Sequence, residues 1–318
     1  MKISGVLPVH NGEKFIDKSI PLILSNLNFD DELVIINNGS TDCSYKKLEK
    51  WSNIDSRINL ITTKTPGLVK ALNLGIEESC NNWVARFDID DNYEPDRLKH
   101  QRAALSGNII AIFTDYDIFS ASHNYLGTIP SALDANAVAV SLISSQRTAH
   151  PSVLFSKEAV INAGCYRDID FPAEDLSLWL RMSRLGDLIS IPKTLLHYRL
   201  STGSITGSKK NEAKEITKKL LNNIGINQEK ALDLIENFES VIELYKKNNY
   251  ARVRELLILK DLYYLSKNTK IDNKLKKKIS QFLIQLMPKY VLSISNLQAV
   301  KLLRKEQVLR NKVRQSLL

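Results

Sequence analysis

The residues whose types and spacing could do chemistry are concentrated at one point in the first third of the chain. A mostly apolar run from Trp83 to Phe87 is followed at once by Asp88, Asp90 and Asp91. Three carboxylates this close raise one another's pKa, so a neighbouring cation or a set of donors favours such a cluster. Oxygen ligands at this density suit Mg²⁺ or Mn²⁺, which bind a few carboxylates together with substrate phosphates. On the motif alone, a solvent-exposed acidic turn is an equally good interpretation.

Short apolar segments alternate with helical patterns on both sides of this motif. The segments with the composition of buried strands are 3–9, 32–37, 58–61, 83–87 and 109–113. The predicted helix starts between them are Ser40 or Thr41 for the second helix and Thr65-Pro66 for the third. Strands that alternate with helices form right-handed βαβ units and a mostly parallel sheet. We therefore predict an α/β fold.

Polar side chains follow two of these predicted strands. Asn37 and Asn38 end the second strand, and the acidic motif ends the fourth. In open α/β sheets, ligands bind in the crevice beyond the carboxyl ends of the strands. The convergence at one edge favours a metal–diphosphate site over a solvated turn.

A second pair of acids lies further along the chain. Glu174 and Asp175 open a predicted amphipathic helix. Acids in a first turn commonly do no more than complement the helix dipole, so the pair alone does not indicate catalysis. A predicted strand at 150–155 and a short helix capped by Ser156 precede it, whereas 115–142 has no pattern that we assign.

Composition and length bound the class of protein. The chain has 318 residues, 43% hydrophobic and 25% charged, which is enough for a large globular core. No apolar run approaches the roughly 20 residues of a transmembrane helix, and the N-terminus has no signal-peptide pattern. The cysteines, Cys43, Cys80 and Cys165, have no metal-binding spacing and indicate free thiols in a reducing compartment. We expect a cytoplasmic protein.

The net charge of +9 belongs to the C-terminal third. Residues 1–207 carry 20 Lys and Arg against 24 Asp and Glu, whereas residues 208–318 carry 24 against 11. The second part has only helical patterns, and the stretch 201–208 is rich in turn residues. We predict an α/β domain of residues 1–207 followed by a basic helical region of residues 208–318.

A basic cluster and an apolar stripe adjoin in the helical region. Lysines at 274, 276, 277 and 278 lead into apolar residues at helical spacing, namely Ile279, Phe282, Leu283, Leu286 and Met287. Such a helix suits the anionic inner face of a membrane, which predicts peripheral attachment through 270–318. Alternatively, the stripe packs on the protein itself or on a second subunit of a homodimer. We expect no nucleic-acid partner, because the stretch has no recognisable nucleic-acid-binding motif.

Nine segments, taken in order, resemble the family 2 inverting glycosyltransferases of the GT-A fold, in particular those of bacterial polysaccharide synthesis. They are PVHNG (8–12), NNGSTD (37–42), GLVKALNLGI (67–76), ARFDIDD (85–91), PDRL (95–98), HPS (150–152), GCYR (164–167), AEDLSLWLR (173–181) and YR (198–199). Each segment is weak alone, but nine in order over residues 1–207 are a specific match. The resemblance implies a nucleotide-sugar donor and a glycan or lipid-linked saccharide acceptor in cell-surface polysaccharide synthesis.

The resemblance also implies roles for particular residues. Asp88 and Asp90 fall on the family's Asp-x-Asp motif, which holds Mn²⁺ or Mg²⁺ and the donor. Asp175 falls on the general base toward the acceptor hydroxyl, in a transfer that inverts the anomeric configuration. The further donor-binding positions are Pro8, His10, Asn37, Asn38, Gly67 and Arg86. The acceptor-side or positioning residues are His150, Glu174 and Trp179.

Two positions depart from the family pattern. Asn37-Asn38 stands where relatives usually have Asp-Asp, one of which accepts from the nucleotide base. An Asn oxygen still accepts from a uracil N–H, so UDP remains the expected carrier. Ser201 stands where many relatives have a His that could bind metal, which implies a weaker metal site, and we do not expect His197 to replace it.

Two alternative functions remain open. A nucleotidyltransferase would normally have a Gly-rich, basic loop after the first strand, whereas 9–13 has one glycine and neither Lys nor Arg. A catalytically inactive nucleotide-sugar-binding homologue is the other alternative. The intact acids Asp88, Asp90 and Asp175 argue against it.

Overall fold

The computed structural model describes residues 1–200, 208–223, 228–246, 251–267 and 271–294. The predicted domain boundary at 201–208 lies almost wholly outside the described residues. The end of the predicted membrane-binding segment, 295–318, lies outside them as well.

The described part contains one curled sheet with helices on both faces. Its strands are β1 (Ile3–Val9), β2 (Glu32–Asn38), β3 (Ile58–Thr63), β4 (Trp83–Arg86), β5 (Asn92–Tyr93), β6 (Ile109–Phe119), β7 (Tyr125–Ile129), β8 (Leu154–Ser156) and β9 (Asp187–Arg199). Its helices in the first 200 residues are α1 (Ile16–Asn26), α2 (Ser44–Ile54), α3 (Leu68–Glu77), α4 (Arg97–Ala103), α5 (Ala135–Ser144), α6 (Lys157–Asn162) and α7 (Glu174–Met182). A 3-10 helix spans His150–Ser152. The α/β fold class is confirmed.

The strand order is β3-β2-β1-β4-β8-β6-β9-β5, with β7 paired to β6. The first half is parallel, and β1 and β2 are buried almost throughout because helices cover both faces. The second half is mixed: β8 is antiparallel to both β4 and β6, whereas β6 and β9 are parallel. The sheet is therefore less parallel than predicted, because β8 returns between two strands that point toward the same edge.

Part of this mixed half comes from segments without a clear sequence pattern. The stretch 115–142 contains the end of β6, then β7 and α5. Helix α5 is buried on nearly all sides, so it has no polar face to produce a helical period. Strand β9 contains Pro192, a residue that disfavours a strand assignment.

Two predicted helix starts are wrong, and one is confirmed. Helix α2 begins at Ser44, whose N–H donates to Asp42 (2.9 Å), rather than at Ser40 or Thr41. Helix α3 begins after Gly67 and has no side-chain cap from Thr65. Ser156 does cap α6, accepting a hydrogen bond from the N–H of Ala159 (3.2 Å).

The helical region packs directly on the sheet domain. Its described helices are α8 (Lys210–Asn223), α9 (Gln228–Glu236), α10 (Phe238–Lys246), α11 (Ala251–Ser266) and α12 (Asn273–Ile294). Buried residues of α9 to α12 share one hydrophobic cluster with α5, α7 and the sheet. Two buried ion pairs, Arg254–Asp115 and Arg147–Asp261 (2.8 Å), join α11 to the first 200 residues. The described helices and the sheet therefore have a common core.

The apolar stripe of α12 contacts the protein's own helices as far as it is described. Leu275 and Ile279 are buried, and the ring of Phe282 lies 5.0 Å from that of Phe238. Leu283 and Leu286 pack against the same core. For residues 275–286, the stripe therefore packs on the protein itself, which was the alternative to membrane attachment. Membrane attachment stays a prediction. Its apolar contacts would have to come from side chains beyond Leu286. No helix among the described residues is long and apolar enough to cross a membrane.

Arg254→Met should lower the free energy of unfolding by about 3–5 kcal/mol, because it leaves the buried carboxylate of Asp115 without its ion partner. Urea denaturation at pH 7 measures the change. The matched control is Lys246→Met, which breaks an exposed pair with Glu243 and should leave stability unchanged within error. If both substitutions had equally small effects on stability, the Arg254–Asp115 pair would not stabilise the packing of α11 on the sheet.

Candidate active site

A buried arginine lies at the end of β4. Arg86 is 3% exposed and forms an ion pair with Asp88. Burial opposes its charge, but the Asp88 carboxylate outweighs burial and raises the pKa of Arg86. Arg86 is thus a permanent cation inside the site.

Hydrogen bonds hold the backbone of the acidic motif in place. The N–H of Asp88 donates to the hydroxyl of Tyr93 (2.6 Å), and that hydroxyl donates to the carbonyl of Asp88 (3.2 Å). Ser19 of α1 donates to the carbonyl of Ile89 (2.6 Å). The buried guanidinium of Arg97 donates to the carbonyls of Arg86 (3.2 Å from each terminal nitrogen) and of Val153 (2.9 Å). These bonds fix where the carboxylates can lie.

Asp90 and Asp91 are poorly compensated carboxyl groups. Burial, followed by the charge of Asp88, raises the pKa of Asp90 to about 6. Asp91 is 1% exposed, and burial raises its pKa further, while one of its oxygens accepts from the N–H of Arg199 (2.8 Å). Its other oxygen has no hydrogen-bond partner within the described part of the chain. The positive charges of Arg86 and Arg199 act on Asp90 from within the protein.

The polar ends of β1 and β2 form the neighbouring wall. Asn38 accepts from the N–H of Gly67 (2.9 Å), which attaches the start of α3 to β2. His10 donates from Nδ1 to the carbonyl of Asn38 (2.8 Å) and is itself exposed. Asn37 is 3% exposed, and its Oδ1 has no partner among the described residues. Pro8 is buried within β1, so its side chain packs inside the sheet and is not exposed at this wall.

Gly39 allows two loops to meet at this wall. Its φ is +62°, and a Cβ there would lie 2.7 Å from the backbone nitrogen of Pro66. A side chain would therefore force apart the loops that follow β2 and β3.

Glu174 and Asp175 lie in the first turn of α7. Glu174 is 5% exposed, and burial, aided by the charge of Asp175, raises its pKa to about 7. Burial also raises the pKa of Asp175, while a hydrogen bond from the N–H of Leu176 (2.7 Å) and the charge of Arg86 lower it. One oxygen of Glu174 has no partner among the described residues. The charges of Asp88 and Arg86 reach both acids, so the two acidic segments form one electrostatic site.

The remaining predicted residues, His150 and Trp179, form an aromatic cluster with Tyr166, which we call the floor of the site. His150 Nε2 lies 2.8 Å from the hydroxyl of Tyr166, and its ring contacts Trp179 (5.9 Å between centroids). Burial, and then the charge of Arg86, lower the pKa of His150 well below its ordinary value, so the ring is neutral. Trp179 is fully buried between Phe113 and Tyr166 and can act only by positioning its neighbours.

The carboxylates fit a divalent cation held jointly with a diphosphate. Within the described residues, no three His, Cys, Asp or Glu side chains come together in a way that would hold a metal ion. Mg²⁺ commonly takes only one or two protein carboxylates and completes its shell with phosphates and water. The donor set of hard oxygens and the raised pKa of Asp90 both suit an added positive charge. His197 lies apart from this set, between Glu94 (2.8 Å) and Asp117 (3.4 Å).

Several residues of the site were not assigned from the sequence. Arg199 and Arg97 fall in segments of the resemblance but had no assigned role, and Ser19 and Tyr93 lie outside those segments. Tyr166 and Asn73 likewise carried no prediction. Except for the bonds between Tyr93 and Asp88, their contacts join different elements of the chain, whereas periodicity reveals only local neighbours.

The comparisons with known proteins agree with this geometry. The model of "Glycosyl transferase family 2" matches residues 4–131. An uncharacterized glycosyltransferase of Haemophilus influenzae is 27% identical over 293 residues, 84% of this chain and 87% of that protein. The O-antigen biosynthesis glycosyltransferase WbnJ of Escherichia coli is 29% identical over 64% of this chain and 81% of its own length. The amylovoran biosynthesis glycosyltransferase AmsE of Erwinia amylovora is 30% identical over 55% of this chain and 66% of its own.

Solved structures share the fold. Staphylococcus aureus TarS 1–349 in complex with UDP-GlcNAc superposes with a TM-score of 0.54 at 15% identity, covering 99% of this chain and 90% of that one. The mannosyltransferase PcManGT of Pyrobaculum calidifontis, in complex with GDP-Man and Mn²⁺, gives 0.56 at 12% identity, covering 98% and 86%. The acidic site at the strand ends, the family match and the curated relatives agree: the chain is a glycosyltransferase whose residues 4–131 match family 2.

Proposed function

We propose that this enzyme transfers a hexosyl or N-acetylhexosaminyl residue from a UDP-sugar to a hydroxyl of a glycan or lipid-linked saccharide, with inversion at the anomeric carbon, in cell-surface polysaccharide synthesis. The observation that carries the proposal is the meeting of two acidic segments around Arg86. One segment suits the charged half of a nucleotide sugar, and the other suits the proton of an attacking hydroxyl.

The nucleotide base would bind at the wall formed by β1 and β2. The unpartnered Oδ1 of buried Asn37 is an acceptor suited to the N–H of a uracil ring. The oxygen of Asn38 is already used by Gly67, so Asn37 is the better candidate of the two. The UDP-GlcNAc bound by TarS favours uridine, whereas the GDP-Man bound by PcManGT makes guanosine the main competitor.

The diphosphate would bind beside Asp88 and Asp90. These carboxylates would hold Mn²⁺ or Mg²⁺, which supplies positive charge to the departing diphosphate. Asp88 is anchored by Arg86, and Asp90 is the less compensated of the two.

Asp175 would accept the proton of the acceptor hydroxyl. As that oxygen bonds to the anomeric carbon, the bond from this carbon to the donor phosphate breaks and its electron pair leaves with the nucleoside diphosphate. Attack from the opposite face inverts the configuration. Asp175 is half-buried, and against the larger effect of burial the charge of Arg86 lowers its pKa and so favours the carboxylate form that a base requires. Base catalysis by a positioned carboxylate typically contributes about 10²–10⁴-fold.

The acceptor class is inferred from the relatives. WbnJ is named for O-antigen synthesis and AmsE for amylovoran synthesis, and both materials are polysaccharides. The match to glycosyltransferase family 2 disfavours the nucleotidyltransferase alternative. An inactive homologue is excluded if the protein releases nucleoside diphosphate from a nucleotide sugar, so a donor screen of UDP- and GDP-sugars with and without Mn²⁺ tests the proposal directly.

Arg86→Met should destabilise the metal-free protein more at pH 8 than at pH 5. Because the pKa of Asp90 is raised to about 6, the folded protein binds more protons than the unfolded chain between about pH 4 and 6. The free energy of unfolding therefore falls as pH rises through this window. Loss of Arg86 raises the carboxyl pKa values further, and breaking its buried pair should cost about 3–5 kcal/mol at pH 8. Urea denaturation in EDTA from pH 5 to 8 measures the free energy of unfolding of Arg86→Met and of the wild type. A difference between the two proteins that does not vary with pH would contradict the prediction.

Asp90→Asn should abolish turnover and weaken donor binding in Mn²⁺, because a neutral amide is a poor ligand for a hard cation. Titration calorimetry with UDP, with and without Mn²⁺, measures the binding. The matched control is Asp96→Asn, which changes a half-exposed carboxylate just before α4 that pairs with His100. Full activity of Asp90→Asn would refute the metal assignment.

Asp175→Asn should keep metal-dependent donor binding but lower kcat at least 100-fold, because only the proton acceptor is lost. In the wild type, kcat/KM should fall as pH drops below about 7, where the Glu174–Asp175 pair takes up a proton. Glu174→Gln removes one negative charge, so Asp175 should ionise at lower pH. The acid limb of the kcat/KM pH profile should therefore shift to lower pH. Equal turnover of Asp175→Asn and wild type would mean that Asp175 only stabilises the first turn of α7.

A further inference from the structure

We infer that Tyr166 is a positioning residue for sugar transfer: its backbone is held by Asn73, and its hydroxyl orients His150 at the floor of the site. The inference rests on the proposed function, because turnover of a nucleotide sugar is one of its readouts. It adds two residues, Tyr166 and Asn73, to those already given a role.

The side-chain amide of Asn73 is used entirely on one residue of a distant segment. Its Oδ1 accepts from the N–H of Tyr166 (3.0 Å), and its Nδ2 donates to the carbonyl of Tyr166 (2.9 Å). Asn73 belongs to α3, whose first turn is attached to β2 through Gly67 and Asn38. The amide therefore fastens the turn before α7 to the wall where the nucleotide is proposed to bind.

The turn that carries Tyr166 needs such support. Gly164 has a φ of +81° and Cys165 a φ of +54°, and residues other than glycine rarely adopt the second value. Backbone in this region persists where its surroundings hold it. Arg181 of α7 donates to the carbonyls of Ala163 and Cys165, so the turn is held from α7 as well as from α3.

The hydroxyl of Tyr166 connects this turn to the catalytic groups. It lies 2.8 Å from Nε2 of His150, and the side chain is 3% exposed. Arg86 and both acids of α7 are close enough for their charges to act on Tyr166. Burial keeps the hydroxyl un-ionised and the His150 ring neutral, so the pair is a fixed, uncharged contact among charged groups.

His150 is the element that this contact fixes. Its ring lies between Tyr166 (5.4 Å between centroids) and Trp179 of α7 (5.9 Å), and the charge of Arg86 reaches it. A rotation of the ring would change its packing on Trp179 of α7 and its position relative to the charge of Arg86 together. Loss of the Tyr166 hydroxyl should therefore misplace Arg86 and Asp175 relative to each other without exposing either.

Tyr166→Phe should lower kcat at least tenfold while the KM for the donor stays within twofold. The matched control is Tyr245→Phe, which removes the hydroxyl of another buried tyrosine, bonded to Asp134 (2.8 Å) and to the N–H of Leu133 (3.2 Å) and to no residue assigned to the site. It should cost similar stability in thermal unfolding and leave kcat unchanged. Loss of kcat in proportion to stability in both variants would reduce Tyr166 to a structural residue.

A double-mutant cycle tests whether the hydroxyl acts through His150. In a His150→Phe background, which keeps an aromatic ring against Trp179 but no hydrogen bond, Tyr166→Phe should have no further effect on kcat. His150→Gln, whose amide can reach the hydroxyl, should retain more activity than His150→Phe. A tenfold loss on adding Tyr166→Phe to His150→Phe would overturn the proposed route.

Nuclear magnetic resonance of ¹⁵N-histidine-labelled protein without substrate separates this inference from the proposed function. Tyr166→Phe and the nearly isosteric Asn73→Asp should both shift the ring nitrogens of His150, whereas Tyr245→Phe should not. Unchanged ring shifts in Tyr166→Phe would overturn the inference even in an active enzyme. If no nucleotide sugar turns over but the ring shifts move as expected, the proposed function fails and the positioning contact stands.

Discussion

The charge interaction between the buried guanidinium of Arg86 and the surrounding carboxylates is the interaction on which the rest of the site depends. Arg86 forms an ion pair with Asp88 after β4, and its charge lowers the pKa of Asp90 and of the acids that open α7. Removing a guanidinium from water is costly unless anions compensate it, and burying several carboxylates is costly unless a cation does. Each group thus makes the other tolerable. The raised pKa values of Asp90 and Asp91 indicate that this compensation is incomplete, and a divalent ion would supply further positive charge there.

Much of the surrounding fold serves to hold these charges in place. Arg97, Tyr93 and Ser19 bind the backbone of the acidic motif, so its carboxylates project from a fixed loop. On the other side, Asn73 and Arg181 hold the turn that leads into α7. Such polar groups within the protein have their hydrogen bonds satisfied by backbone atoms of distant segments. Preorganised donors and acceptors of this kind cost no rearrangement during the reaction.

The described C-terminal helices contribute to the same architecture. Tyr245, Arg254 and Asp261 make buried polar contacts with α5, β6 and the segment that precedes His150. The apolar stripe of α12 is covered by neighbouring helices through Leu286. The basic surface that remains, including the exposed lysines at 274, 277 and 278, faces solvent on a helix that is already packed. In this helix, the concentration of positive charge seen in the sequence corresponds to a solvent-exposed face.

The sequence by itself determined the α/β class, the parallel first half of the sheet and the acidic segments, because these follow from local periodicity and from residue types at strand ends. It also placed Ser156 as a cap. Tertiary structure decided the antiparallel insertion of β8, the burial of α5 and the starts of α2 and α3, where contacts with other segments outweigh local preference. It alone brought Arg86 to Glu174 and Asp175, and Asn73 to Tyr166, which lies 93 residues away. Such pairings depend on the folded path of the chain, which periodicity in one sequence does not encode.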